Sequence, residues 1–126
     1  MNRILGLEEL EEYTRWSGYR ERLGLPKKVT EEYLMLAQGE YNRNYVFVHP
    51  VTERKLVLRM NFGSQMHLEN QIEYEYRALD LLKGSGRTPK PFYVDGTKKK
   101  ISNGIMVMEY LPGHALDYDK EIFYAA

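Results

Sequence analysis

Apolar positions recur along this chain with two different periods. From Leu7 to Leu23, the residues Leu7, Leu10, Tyr13, Trp16 and Leu23 return about once per helical turn among glutamates and arginines. That spacing predicts one amphipathic helix, closed by Gly24 and by Pro26 just beyond it. The period then shortens. Glu31 to Gln38, Asn44 to His49 and Lys55 to Met60 read as three strands, separated by the turn-like Gly39-Glu40-Tyr41-Asn42 and by Pro50 to Arg54. Short connections make them an antiparallel meander. A long helix is predicted from Met66 to Lys83, ended by Gly84, Gly86 and Pro89. Phe92 to Val94 and Ile101 to Tyr110 form a second hairpin with Gly96-Thr97-Lys98-Lys99-Lys100 at its tip, and Pro112-Gly113 breaks its last strand. The order of elements predicts an α+β fold: a five-stranded antiparallel sheet, one long packed helix and an N-terminal amphipathic helix.

Within the long helix one residue breaks the pattern. At about 100° per residue, Leu68, Ile72, Leu79 and Leu82 share a stripe, and Glu75 falls in its middle. Glu73, Arg77 and Asp80 fall on the opposite side, where solvent is expected. A carboxylate facing a core is costly unless a cation compensates it. Strand alternation supplies a candidate: Leu56, Leu58 and Met60 share one face of the third strand, Val57 and Arg59 the other. Either Arg59 pairs with Glu75 and ties helix to sheet, or both lie at the rim and Arg59 snorkels to water.

Composition narrows the classes of function. Lys plus Arg and Asp plus Glu each total 18 in the 126 residues, so the formal net charge is zero. That argues against a nucleic-acid partner, since such affinity comes largely from basic residues on phosphates. The chain has no cysteine, which excludes a disulfide scaffold, a thiol nucleophile and a thiolate zinc site. No run approaches the ~20 apolar residues of a membrane span, and no signal-peptide core opens the chain, so a cytoplasmic protein without a membrane partner is expected. His49, His67 and His114 lack a second ligand at helical or hairpin spacing, so no metal site is expected. Lys83-Gly84-Ser85-Gly86-Arg87-Thr88 follows a helix instead of opening one, so it reads as a cap and not a phosphate loop.

Four segments in order carry a resemblance: Gly39-Glu40-Tyr41-Asn42-Arg43-Asn44-Tyr45, Leu56-Val57-Leu58-Arg59, Glu75-Tyr76-Arg77-Ala78-Leu79, and Met106-Val107-Met108-Glu109-Tyr110-Leu111-Pro112-Gly113. Together they resemble the amino-terminal lobe of the aminoglycoside phosphotransferase and choline kinase family, which has a protein-kinase-like fold. The resemblance implies an ATP site. Gly39 and Asn42 would lie in the loop over the phosphates, although Gly and Asn also suit an ordinary hairpin. Arg59 would stand where protein kinases carry a phosphate-binding lysine paired with a helix glutamate, here Glu75. Val57 would form part of the adenine ceiling and Met108 the back of the pocket. The carbonyl of Glu109 and the amide of Leu111 would meet the adenine edge, although a core strand entering a Pro-Gly turn has the same sequence.

The resemblance also implies what is missing. No His-x-Asp triplet occurs, and Asp95, Asp117 and Asp119 lack the context of a metal-binding aspartate. The implied division is an N-terminal helical extension over 1–30, a kinase-like lobe over 31–116, and at 117–126 the start of a linker to an absent carboxy-terminal lobe. The implied function is the ATP-binding part of a small-molecule kinase, inactive as this isolated chain, with magnesium only if the second lobe is supplied. Its small-molecule acceptor is not set by these residues. A complementary lobe chain and a second copy are both open as partners. The competing expectation is a free-standing, non-catalytic lobe used for protein interaction or self-association, because its apolar cleft would be exposed.

Overall fold

The computed structural model describes residues 7–38, 42–61, 71–82, 89–97, 99–101 and 103–111. Expectations for Gly39, His67, Leu68, residues 83–88, His114, Asp117 and Asp119 lie outside them. The elements are α1 (Leu7–Arg15), α2 (Ser17–Leu23), β1 (Leu34–Gln38), β2 (Asn42–Val48), β3 (Lys55–Asn61), α3 (Gln71–Leu82), β4 (Pro91–Asp95) and β5 (Gly104–Glu109). The five strands form one antiparallel sheet in the order β1-β2-β3-β5-β4. Pro91 opens an edge strand, where its missing N–H costs no ladder bond.

The N-terminal segment is two helices, not one. Trp16 leaves the helix with φ −67° and ψ 132°, and its ring lies so close to Gly18 that a Cβ there would sit 2.5 Å from it. The bend turns both Tyr13 and Tyr19 into the core, their rings 5.4 Å apart. Gly24 closes α2 in the left-handed conformation at φ 69°, where a side chain would be strained.

The first strand starts at Leu34, later than the sequence pattern suggests, because Glu31 and Tyr33 are committed elsewhere. Arg20 of α2 grips Glu31 through Nη1 to Oε2 at 2.8 Å and Nη2 to Oε1 at 3.1 Å. Arg20 also donates to the carbonyls of Thr14, Pro26 and Lys28, and the Tyr33 hydroxyl donates to Glu31 Oε2 at 2.8 Å. Burial pushes the Glu31 carboxyl up, but hydrogen bonds from Arg20, its own backbone and Tyr33 outweigh that and hold it below its ordinary range.

Two cores share the sheet. On the rear face, Leu10, Tyr13, Tyr19 and Leu25 pack against Tyr45, Phe47, Leu56, Leu58, Met60, Ile105 and Val107. On the front face, Ile72 and Leu79 of α3 pack against Val57, Met106 and Met108. The alternation of β3 thus buries both faces. Helix α3 lies across β4 and β5, and the missing side chain of Gly104 permits its close approach, since a Cβ there would lie 2.8 Å from Ile72. Glu73 is not simply solvated as the helical phase suggests: it is half-buried and lies over Gly96.

His49 joins layer to turn. Its Nδ1 accepts the N–H groups of Val51 and Thr52 at 3.1 and 3.2 Å, so the proton resides on Nε2, which donates to the Leu23 carbonyl at 2.7 Å.

Candidate functional site

The front face of the sheet is graded from polar to apolar. Asn42, Asn44, Val46 and Val48 follow one another on this face of β2, opposite Asn61, Arg59, Val57 and Lys55 of β3. At the end nearer the β1–β2 connection the residues are amides and a guanidinium. Beyond them Val46, Val57 and Met108 form an apolar stretch before Lys55 at the start of β3, while Met106 faces Arg59 in register.

At the polar end, Arg59 is fully buried. Its Nε lies 3.7 Å from Glu75 Oε1, so the pair anticipated from helical phase and strand alternation is formed, at ion-pair rather than hydrogen-bond distance. The rim alternative for these two residues is excluded by their burial. Beside them, Asn61 Nδ2 donates to Asn42 Oδ1 at 2.8 Å, which ties the first residue of β2 to the last of β3. Asn42 is therefore the start of a strand rather than a free turn residue. Asn44, opposite Arg59 in register, is fully buried, and neither atom of its side-chain amide has a hydrogen-bond partner among the described residues. Sequence reasoning missed it, although two asparagines spaced at strand period beside an arginine-bearing strand were a usable signal.

The apolar end runs to the chain segment after β5. Val57 and Met108 are register partners, both inaccessible to solvent, so the exposed apolar cleft expected of an isolated lobe is not found at these two residues, which Ile72 and Leu79 of α3 pack against. Glu109 N–H donates to the Lys90 carbonyl at 2.8 Å and Tyr110 N–H to the Lys55 carbonyl at 3.2 Å, which fixes the backbone of Glu109 and Tyr110 between β3 and β4 at the end of the sheet. The Lys55 ammonium lies 5.0 Å above the Tyr110 ring. Glu109 and Leu111 are half-buried. A hollow of about 400 Å³ opens beside Leu34, Val46, Val48 and Lys55, where Leu34 and Val48 are 59% and 49% exposed.

Of the sequence-derived site residues, Asn42, Val57, Arg59, Glu75 and Met108 are thus gathered on the front face, and Glu109 and Leu111 lie at its edge. Gly39 lies outside the described residues. Among the described residues, no helix is long and apolar enough to cross a membrane, and no three His, Asp or Glu side chains group as metal ligands.

An antiparallel five-stranded sheet with a helix laid on one face, joined by an enclosed arginine–glutamate pair, is the architecture of a kinase-like amino-terminal lobe. The profile of the phosphotransferase enzyme family matches residues 33–124, and the chain belongs to that family. Its fold is similar to that of a protein from Ralstonia eutropha JMP134 provisionally named an aminoglycoside phosphotransferase, with a TM-score of 0.54 at 20% identity. The alignment covers 80% of this chain and 28% of that one, so this chain spans well under half of its length. At that identity the likeness establishes the fold alone. No curated protein gives a significant sequence match.

Proposed function

We propose that this chain is the ATP-binding part of a small-molecule kinase, a cytoplasmic protein in which phosphoryl transfer to a hydroxyl requires a second, carboxy-terminal lobe. The observation that carries this reading is the graded front face: a buried Arg59–Glu75 pair at its polar end and an apolar wall of Val57 and Met108 at the other. A nucleotide has the same polarity, with phosphates at one end and a flat apolar base at the other. Arg59, held by Glu75, would receive the phosphates, together with backbone at Gly39 and Asn42. The enclosed Asn44 amide is a polar group that a ligand or a bound water would satisfy. Val57 and Met108, closed to solvent in this structure, would line the base once the cleft opens to it, and the backbone of Glu109 and Leu111 would meet its edge.

The acceptor-activating group and the magnesium ligands would come from the second lobe. On this reading the isolated chain binds ATP weakly, with little dependence on magnesium, and transfers no phosphate. The test is thermal unfolding with and without millimolar ATP. The midpoint should rise with ATP by mass action and should no longer rise in Arg59→Ala. An ATP-independent midpoint in the folded wild-type chain sinks the reading. It would favour the competing one, a lobe used for association, for which the exposure of Leu34 and Val48 speaks.

A further inference from the structure

A second hollow, of about 420 Å³, lies away from the front face. Trp16 at the α1–α2 bend, Arg22 of α2, Tyr93 of β4, and Lys99 and Lys100 of the β4–β5 hairpin line it. Among the described residues, its lining holds three cationic side chains against one carboxylate, Asp95. The Arg22 guanidinium lies 4.8 Å over the Tyr93 ring, and the Lys100 ammonium lies 6.0 Å from the Trp16 ring. Among the described residues, none of Arg22, Lys99 and Lys100 is in an ion pair.

The one carboxylate in the wall, Asp95, offsets part of that charge: burial raises it, but hydrogen bonds from Thr97 and Tyr13 and the nearby Arg22 charge hold it below its ordinary range, so it stays an anion facing three cations. Asp95 Oδ2 accepts the Tyr13 hydroxyl at 2.6 Å, and Oδ1 accepts the N–H and hydroxyl of Thr97 at 3.0 and 2.6 Å. The Tyr93 hydroxyl is taken by Tyr13 at 2.5 Å. What the hollow offers a ligand is cationic N–H groups above two aromatic rings. Three like charges around one space repel one another, and an anion both relieves that repulsion and gains charge-assisted hydrogen bonds. The space is larger than a phosphate ion needs, which leaves room for an organic group against the rings. Trp16 and Arg22 precede the segment that the family profile matches, 33–124, and Tyr93 belongs to the rear core. The hollow is therefore separate from the front face.

We propose that this hollow is a second anion site, which takes a compact phosphate-bearing small molecule with Arg22, Lys99 and Lys100 as its cationic ligands. Trp16 is the one tryptophan of the sequence, so its fluorescence reports the hollow directly. Titration with pyrophosphate at constant ionic strength should change Trp16 emission saturably. The apparent affinity should fall at least about tenfold in the Arg22→Ala/Lys100→Ala variant, as loss of charge-assisted contacts requires. All three cationic side chains are exposed, so this variant should keep its circular dichroism. Arg59→Ala should leave the Trp16 titration unchanged, which separates this site from nucleotide binding. A linear, unsaturable response, or one that survives the double variant, overturns the proposal. Phenyl phosphate should bind more tightly than inorganic phosphate, and equal binding by the two overturns the role of the rings.

Discussion

Two buried arginine–glutamate pairs, Arg20–Glu31 and Arg59–Glu75, are built in opposite ways. The first is a fork, with both guanidinium nitrogens on both carboxylate oxygens at 2.8 and 3.1 Å, and the other donors spent on backbone carbonyls. In the second, Arg59 Nε lies 3.7 Å from Glu75 Oε1. Both are enclosed, with side-chain exposures of 3% and 0% in the first and 0% and 9% in the second. Burial alone therefore does not tell a staple from a site. A fork whose lone pairs and protons are all used repays the desolvation of its ions by holding chain segments together. At 3.7 Å the Arg59 Nε–Glu75 Oε1 approach sets two opposite charges side by side without a hydrogen bond at that nitrogen.

The largest test of that contrast is Arg20→Ala, which strands a buried carboxylate and should cost about 3–5 kcal/mol in urea unfolding. Arg59→Ala should cost less, about 1–3 kcal/mol, because its Nε meets Glu75 at 3.7 Å rather than at hydrogen-bond distance, while removing the ATP-dependent rise in midpoint. Equal stability losses in the two variants would break the comparison.

Acid should act on the rear side. Glu31 titrates below its ordinary 4.5 and Asp95 below its ordinary 3.8; for Asp95, burial raises the value but the hydrogen bonds from Thr97 and Tyr13 prevail. A depressed folded-state pKa gives stability that is complete above the unfolded value and is lost as pH falls through the folded one. The urea midpoint should thus decline from about pH 4.5 downward, and a flat profile to about pH 3 would contradict the geometry of both carboxylates. The smallest effect sharpens the contrast most. Asn44→Val replaces an enclosed amide with no partner, so stability should hold or rise by up to about 1 kcal/mol, while the ATP response weakens. A loss of several kcal/mol in that variant would mean that the amide is structurally bound after all.

The front face was more legible than the rear, for a physical reason. Strand alternation separated Arg59 and Val57 from Leu56, Leu58 and Met60, and helical phase singled out Glu75, because each signal lies within one regular element. Arg20 sits on what reads as the polar side of a helix, and its partner Glu31 lies in an irregular segment, so no periodicity connects them. The bend at Trp16 was hidden because Gly18 acts there by lacking a side chain beside an indole ring, a contact that no period records. Asn44 was passed over as part of a turn-and-strand motif, since its want of a partner depends on what surrounds it in space.

The His49 ring has a consequence for how this lobe can be dissected. It stitches the β2–β3 turn to a carbonyl that ends α2, while Tyr45, Phe47 and Leu58 lean on residues from the same early segment. A fragment cut back to begin at residue 33 would lose the imidazole's anchor and bare a greasy wall. It should clump or melt rather than keep the fold of the longer chain, so α1 and α2 belong to the same folding unit as the sheet.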